Sequence, residues 1–356
     1  MRILIWHVHG SWTTAFVQGG HDYLIPTLPE RGAWGGGRPA AWDWPRRAVE
    51  VSPDELGDTD VDVVVLQRPE ELELAARWLR RVPGRDVAAV YLEHNAPRGP
   101  AATSRHPVAD REDLLLVHVT HFNAVMWDAG TTRTAVVEHG VIDPGHRYTG
   151  ELEAAAAVIN EPVRRGRITG TDLLPALATA APIDVFGMGL DGLPGYLRDD
   201  LRVVRATAER IRPVGDLPQH RLHAELPRRR AYLHTSRWTS LGLSLIEAML
   251  LGMPVVVLDT TDAAEAVPDG AGVRSTDPAR LRAGLRGLVA DPAAAEAAGR
   301  QAREAALRRY GIDRFLSDWD ALLHQATPVP IRPIVSAATA GRPPPVPPGP
   351  TPVPRS

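Results

Sequence analysis

The stretch from His234 to Asp259 carries the residues of this 356-residue chain best placed to do chemistry. Apolar residues from Ala231 to Ser236 read as a buried strand, and a small-residue turn with Ser240, Leu241 and Gly242 follows. A helical pattern then starts near Leu243 and runs to Gly252. A helix that begins just past a strand presents unpaired backbone N–H groups and a partial positive charge, a geometry that holds phosphate. Glu247 falls one turn inside this helix. A carboxylate there is a poor partner for phosphate but a good acceptor for vicinal hydroxyls such as those of a ribose. Phosphate on the turn and ribose on Glu247 together imply a nucleotide. On residue types alone, an ordinary strand-turn-helix unit with Glu247 as a favourable first-turn charge fits equally well.

Composition narrows the chemistry further. The chain has no cysteine, which removes disulfides, thiolate nucleophiles and Cys-type metal sites. It also has no lysine, so all 40 Lys/Arg-type residues are arginine and any phosphate must be held by arginine and backbone. A net charge of -3 provides no global basic field for nucleic acid or anionic lipid, so no nucleic-acid partner is expected. No run of about 18 apolar residues occurs, which argues against a transmembrane segment. Met1 to Trp6 reads as a buried strand and not as a signal peptide, and a cytoplasmic protein is expected. His7 with His9, and His118 with His121, have metal-pair spacing but no third ligand at a matching spacing, so no metal is expected. Asp58 and Asp60 read as acidic turn residues.

These residues need a scaffold. Arg2–Trp6, Val61–Gln67, Val87–His94, Leu114–Thr120 and Thr134–Gly140 read as buried strands, with a helix over Pro69–Arg81. Ile142 to Gly150 lacks periodicity and is read as a linker. A second series follows, with strands at Ala155–Asn160, Ile183–Gly187, Ala231–Ser236 and Pro254–Asp259 and with helices near Thr171–Ala181, Gln219–Arg229, Leu243–Leu251 and Pro278–Val289. Ala293–Arg309 is strongly helical, and Ile312–His324 is amphipathic with Phe315 and Trp319 on one face. The pattern is α/β with parallel sheets. It divides the chain into an N-terminal domain over residues 1–147, a C-terminal domain over 148–326 whose last helix crosses back, and a Pro-rich tail over 327–356. The tail cannot form a core and reads as disordered; its composition names no partner.

The run from Gly242-Leu243 through Glu247-Ala248-Met249 to Gly252-Met253-Pro254-Val255-Val256 resembles the donor-site signature of family 4 of the retaining glycosyltransferases. Ile183–Gly189, Val214–Pro218, Val136–Gly140 and Arg308–Phe315 are similar to further segments of that family. The resemblance implies the GT-B fold, two Rossmann-like domains facing a central cleft, with a nucleoside diphosphate sugar bound by the C-terminal domain and an acceptor on the N-terminal side. It implies no cofactor besides that donor. The family has two glutamates eight positions apart. The second matches Glu247, on the ribose, whereas the first, near the transferred sugar, falls on Thr239. The family's pyrophosphate clamp, an arginine followed five residues later by a lysine, falls on Arg164 and Thr169, with Arg167 or Arg165 as the substitute for the lysine. Gly10 and Ser11 fall on the glycine loop, and His94 lies where a histidine faces the donor sugar. Ser240, Leu241, Gly242 and Leu243 complete the expected donor site, with His94, Thr239 and Arg164 as the expected catalytic set.

The expected function is transfer of a hexosyl unit to an acceptor hydroxyl with retention of configuration and without metal. Thr239 in place of a carboxylate also fits a catalytically weak or inactive GT-B protein that binds a nucleotide sugar or glycan. Trp34 among Gly32 and Gly35–Gly37, with Trp42 and Trp44, forms a loop that fits either an acceptor-stacking surface or an anchor to the core.

Overall fold

The computed structural model describes residues 1–39 and 42–326; the Pro-rich tail at 327–356 lies outside them. Short runs of Val, Ile and Leu, apolar on both faces, build two sheets that are parallel throughout. The first contains β1 (Arg2–Ile5), β2 (Asp22–Pro26), β3 (Ala48–Val51), β4 (Val63–Leu66), β5 (Ala88–Glu93), β6 (Leu115–His118) and β7 (Arg133–Val136), in the order β3-β2-β1-β4-β5-β6-β7. The second contains β8 (Leu152–Val158), β9 (Ile183–Phe186), β10 (Ile211–Gly215), β11 (Arg229–His234), β12 (Val255–Leu258) and β13 (Gly272–Ser275), in the order β10-β9-β8-β11-β12-β13. Each order reverses direction beside its first strand, which opens a crevice at the carboxyl ends of the strands.

Four strands escape the sequence pattern. β3, β10 and β13 are edge strands, so their residues are half exposed and lack a continuous apolar run, and β10 contains Pro213. β2 is internal, but its three apolar residues Tyr23, Leu24 and Ile25 are closed off by Asp22 and Pro26. The basic segment after β8, which falls outside the helices expected from the sequence, is a short helix over Pro162–Thr169.

The final helix, Ile312–Ala326, belongs by packing to the N-terminal sheet. Phe315, Trp319, Leu322 and Leu323 join a core that includes Ile5, Trp12, Phe16, Tyr23, Val65 and Val90. Trp319 meets Trp12 and Phe16 edge-on at centroid distances of 5.5 and 5.1 Å. The chain therefore passes between the two sheets twice, through residues 137–151 and again before Ile312. At the second passage Arg314 donates to the carbonyls of Glu138 and His139, tying the crossings together. Trp319→Ala removes a side chain that is 1% exposed, and we expect a loss of about 3–5 kcal/mol in urea unfolding. A loss below about 1 kcal/mol would show that this helix is not integral to the N-terminal core.

Candidate active site

Loops at the carboxyl ends of both sheets enclose a cavity of about 480 Å³. The N-terminal half contributes His9, Gly10 and Ser11 after β1, Trp42, and His94 and Asn95 after β5. The C-terminal half contributes Asn160 after β8, Gly187 after β9, Asp216 and Leu217 after β10, and the turn and helix that follow β11.

The helix Leu243–Leu250 begins with Gly242 as N-cap, and no side chain caps its first N–H groups. These donors border the cavity through Gly242, Leu243 and Ser244. Gly242 is needed for close approach: a Cβ there would stand 2.7 Å from His234 Cε1. One turn on, Glu247 is 4% exposed and lines the same cavity. Gln219 Nε2 donates to its Oε1 at 3.0 Å, and His223 Nε2 stands 3.4 Å from its Oε2. Both come from the helix Gln219–Glu225, so a carboxylate that would be costly to bury is oriented before any ligand arrives.

In the basic segment the structure separates Arg165, one of the two expected substitutes for the lysine, from Arg164 and Arg167. Arg165, not Arg164 or Arg167, lines the cavity. Burial, and after it the neighbouring Arg164, pull the pKa of Arg165 down, the mark of a desolvated guanidinium. Arg164 is 72% exposed and lies 3.5 Å from Glu161, while Arg167 is 75% exposed and pairs with Asp172 at 3.0 Å. Consecutive helical residues point about 100° apart, which sets Arg165 toward the cavity and Arg164 toward solvent. A break at Gly166, with φ 36° and ψ -106°, turns Arg167 away as well. Thr169 lines the cavity, and its hydroxyl donates to the Gly166 carbonyl at 3.2 Å.

Beside these charged groups, the cavity is also lined by neutral hydrogen-bonding side chains. Thr239 lines it with a buried Oγ1 that has no hydrogen-bond partner. Ser240 shares a 3.1 Å hydrogen bond with Thr120 across the two halves, and Trp238 Nε1 donates to the Pro97 carbonyl at 2.7 Å, so this turn is clasped to the N-terminal half. Leu241 is buried beside it. His94 Nε2 is 2.9 Å from Gln67 Oε1, and its ring centroid lies 4.0 Å from that of His9. Burial drives the His94 pKa well below the usual imidazole value.

Sequence reasoning missed two groups here. His139 lines the cavity at 4% exposure with Nδ1 unpartnered, its pKa lowered to about 3 chiefly by burial. His9 stands out in the sequence only beside the glycine loop and as half of a metal-spaced pair. Isolated histidines carry no periodic signal, and only the return of the linker beside the β1 loop brings them together. Among the described residues no group of three or more His, Asp or Glu side chains is arranged to hold a metal ion. Asp58 and Asp60 lie outside the cavity lining, Asp60 being 3.9 Å from Arg2.

Buried neutral histidines give a pH signature. His139, at about 3, and His118 and His234, each at about 4, lie below the ordinary 6.5 because of burial. Between those values the unfolded chain binds protons that the folded chain refuses. Their contribution to stability is therefore complete above pH 6.5 and is lost as pH falls toward 3–4. Urea unfolding from pH 7.5 to 4.5 should show this decline, and His139→Gln should make it shallower. An unchanged slope would contradict the burial of a neutral His139.

Residues 205–305, which contain the Glu247 helix, match the family model for glycosyl transferases group 1. No curated protein matches the chain by sequence. Similar solved structures include sucrose-phosphate synthase from Thermosynechococcus elongatus, at 14% identity over 91% of this chain and 98% of that one, with a TM-score of 0.68. HepE from Anabaena, solved in complex with UDP, shares 15% identity over 91% and 100%, with a TM-score of 0.67. TarM from S. aureus, also solved with UDP, shares 14% identity with a TM-score of 0.59; the match covers 73% of this chain and only 55% of the TarM chain. At these identities the likeness is one of fold, and that fold is GT-B.

Proposed function

We propose that the chain, with a glycosyl transferases group 1 segment on a GT-B fold, is a glycosyltransferase that transfers a hexosyl unit from a nucleoside diphosphate sugar to an acceptor hydroxyl with retention of configuration. The observation that carries this reading is convergence: Glu247, Arg165 and the uncapped start of the Leu243–Leu250 helix all face one cavity.

Glu247 accepts from the ribose hydroxyls. The N–H groups at Gly242–Ser244 and the Arg165 guanidinium neutralise the diphosphate, and most strongly as it leaves. Thr239, His94 and His139 offer neutral hydrogen-bonding atoms to the sugar. The bond from the anomeric carbon to the β-phosphate oxygen breaks, and the acceptor oxygen bonds that carbon from the same face. The acceptor proton passes to the leaving phosphate oxygen, which balances the step as sugar-acceptor product plus nucleoside diphosphate. Arginine and backbone N–H groups carry the charge in this scheme, which calls on no metal. The clasp of Trp238 on Pro97 and of Ser240 on Thr120 shields the donor from water. UDP is the first nucleotide to try, because HepE and TarM were solved with it. The reading places the protein in the cytoplasm with the nucleotide-sugar pool.

Thr239 favours a second reading, in which the cavity binds a nucleotide sugar without turning it over. A hydroxyl hydrogen-bonds a sugar but does not stabilise an oxocarbenium-like centre as a carboxylate does. Diphosphate release from UDP-glucose, UDP-N-acetylglucosamine and GDP-mannose, with and without EDTA, separates the two. Slow release that EDTA does not stop supports transfer or its hydrolytic side reaction. Binding without release, even with an acceptor panel present, supports the second reading.

A further inference from the structure

A second groove, of about 310 Å³, is lined by Trp34, Glu70, Glu73, Leu74 and Arg77. It lies between the glycine-rich loop that follows β2 and the helix Glu70–Leu79 that follows β4, segments that leave the carboxyl ends of their strands as the cavity loops do. Trp34 is fixed in place. Its carbonyl accepts from Trp6 Nε1 at 3.0 Å, Arg68 Nη1 donates to the Ala33 carbonyl at 2.8 Å, and the Arg68 guanidinium covers one face of the indole at 4.1 Å from the ring centroid. Arg68 is held in turn by Glu71, buried and 2.6 Å away. Among the described residues no other ring or cation stacks on Trp34. Glu70, Glu73 and Arg77 are exposed and, among the described residues, make no side-chain hydrogen bond or ion pair, although Glu73 and Arg77 are spaced for a helical pair. An indole on a rigid mount with unpaired carboxylates and a guanidinium beside it suits one ligand chemistry above others. A sugar ring presents C–H groups to the aromatic face and hydroxyls to the charged groups around it.

Two connections join this groove to the cavity. The same loop supplies Trp34 to the groove and Trp42 to the cavity. Gln67, which bonds His94 inside the cavity, immediately precedes Arg68, which stacks on Trp34. We propose that the groove is an acceptor subsite, and that the acceptor is a saccharide chain whose terminal hydroxyl enters the cavity while a unit further along it packs on Trp34. This rests on the transferase reading above and gives the acceptor its chemical class.

The test uses the full-length protein, labelled, on an array of immobilised oligosaccharides, with wild type, Trp34→Ala and Glu73→Gln compared and UDP affinity measured on each. Wild type is expected to bind a subset of glycans. Trp34→Ala should weaken that binding about tenfold or more, the scale of a lost aromatic stacking contact and its buried area, and Glu73→Gln should weaken it less. UDP affinity should be unchanged in both variants, which also shows that they fold. Glycan binding that is absent in wild type, or equal in wild type and Trp34→Ala, overturns the subsite. Failure of wild type to bind UDP falls instead on the transferase reading, so the two are distinguished.

Discussion

Arg165→Ala is expected to slow sugar transfer by roughly 10²–10³-fold, about 2.7–4 kcal/mol, the scale for losing one preorganised donor to a developing negative charge. The effect should fall on turnover more than on donor KM, because the charge on the bridging oxygen grows as the bond breaks. Arg165 is the arginine of its segment that lines the cavity, and its partial burial strengthens its interaction with an anion there. Arg164→Ala is the control. Its exposed contact with Glu161 contributes well under about 1 kcal/mol, so turnover should stay within about threefold of wild type. Initial rates for both variants at saturating donor give the comparison. The reverse ranking would return the clamp to the position that the family resemblance favours.

Glu247→Gln is the second large effect. Hydrogen bonds to a charged acceptor contribute about 1.5–3 kcal/mol, so the donor KM or Kd should rise roughly 10- to 100-fold. The amide keeps the volume but cannot accept at both positions, and it meets Gln219 and His223 as a weaker acceptor. Rates against donor concentration should show the change largely in KM, since the ribose lies away from the breaking bond. A fall in kcat at unchanged KM would place Glu247 at the sugar and not at the ribose.

Some of this design is legible in the sequence. β1, β4, β5 and β12 are continuous apolar runs because they are buried on both faces, and Glu247 is fixed one turn past a glycine-containing strand-to-helix turn by spacing alone. The four-residue spacing of Phe315 and Trp319 marks the apolar face of the last helix. What that face packs against is not written locally, since its partners Trp12, Phe16 and Val90 lie over 200 residues earlier. The choice among Arg164, Arg165 and Arg167 depends on the rotation of a short helix and on the break at Gly166, neither of which composition encodes. The three tryptophans of the early loop show the same limit. Trp44 is buried and donates to Thr14 at 2.8 Å, Trp42 lines the cavity and Trp34 faces the groove, so one loop serves as anchor, wall and platform.

The neutrality around Thr239 bears on catalysis. Thr239 Oγ1 and His139 Nδ1 are both buried without a protein partner, so both remain available for a hydrogen bond within the cavity. On the proposed reading these atoms would meet the transferred sugar, and Arg165 with the helix start would supply the electrostatic stabilisation.

Transfer from a nucleotide sugar requires first that the cavity hold a nucleoside diphosphate, which calorimetric titration of UDP, GDP and ADP into the wild-type protein at low salt can establish. One of the three should bind with a stoichiometry of one, and free phosphate should not reproduce the heat. If none of the three binds, there is no donor site in this cavity, and the Glu247 helix is a structural unit of the fold.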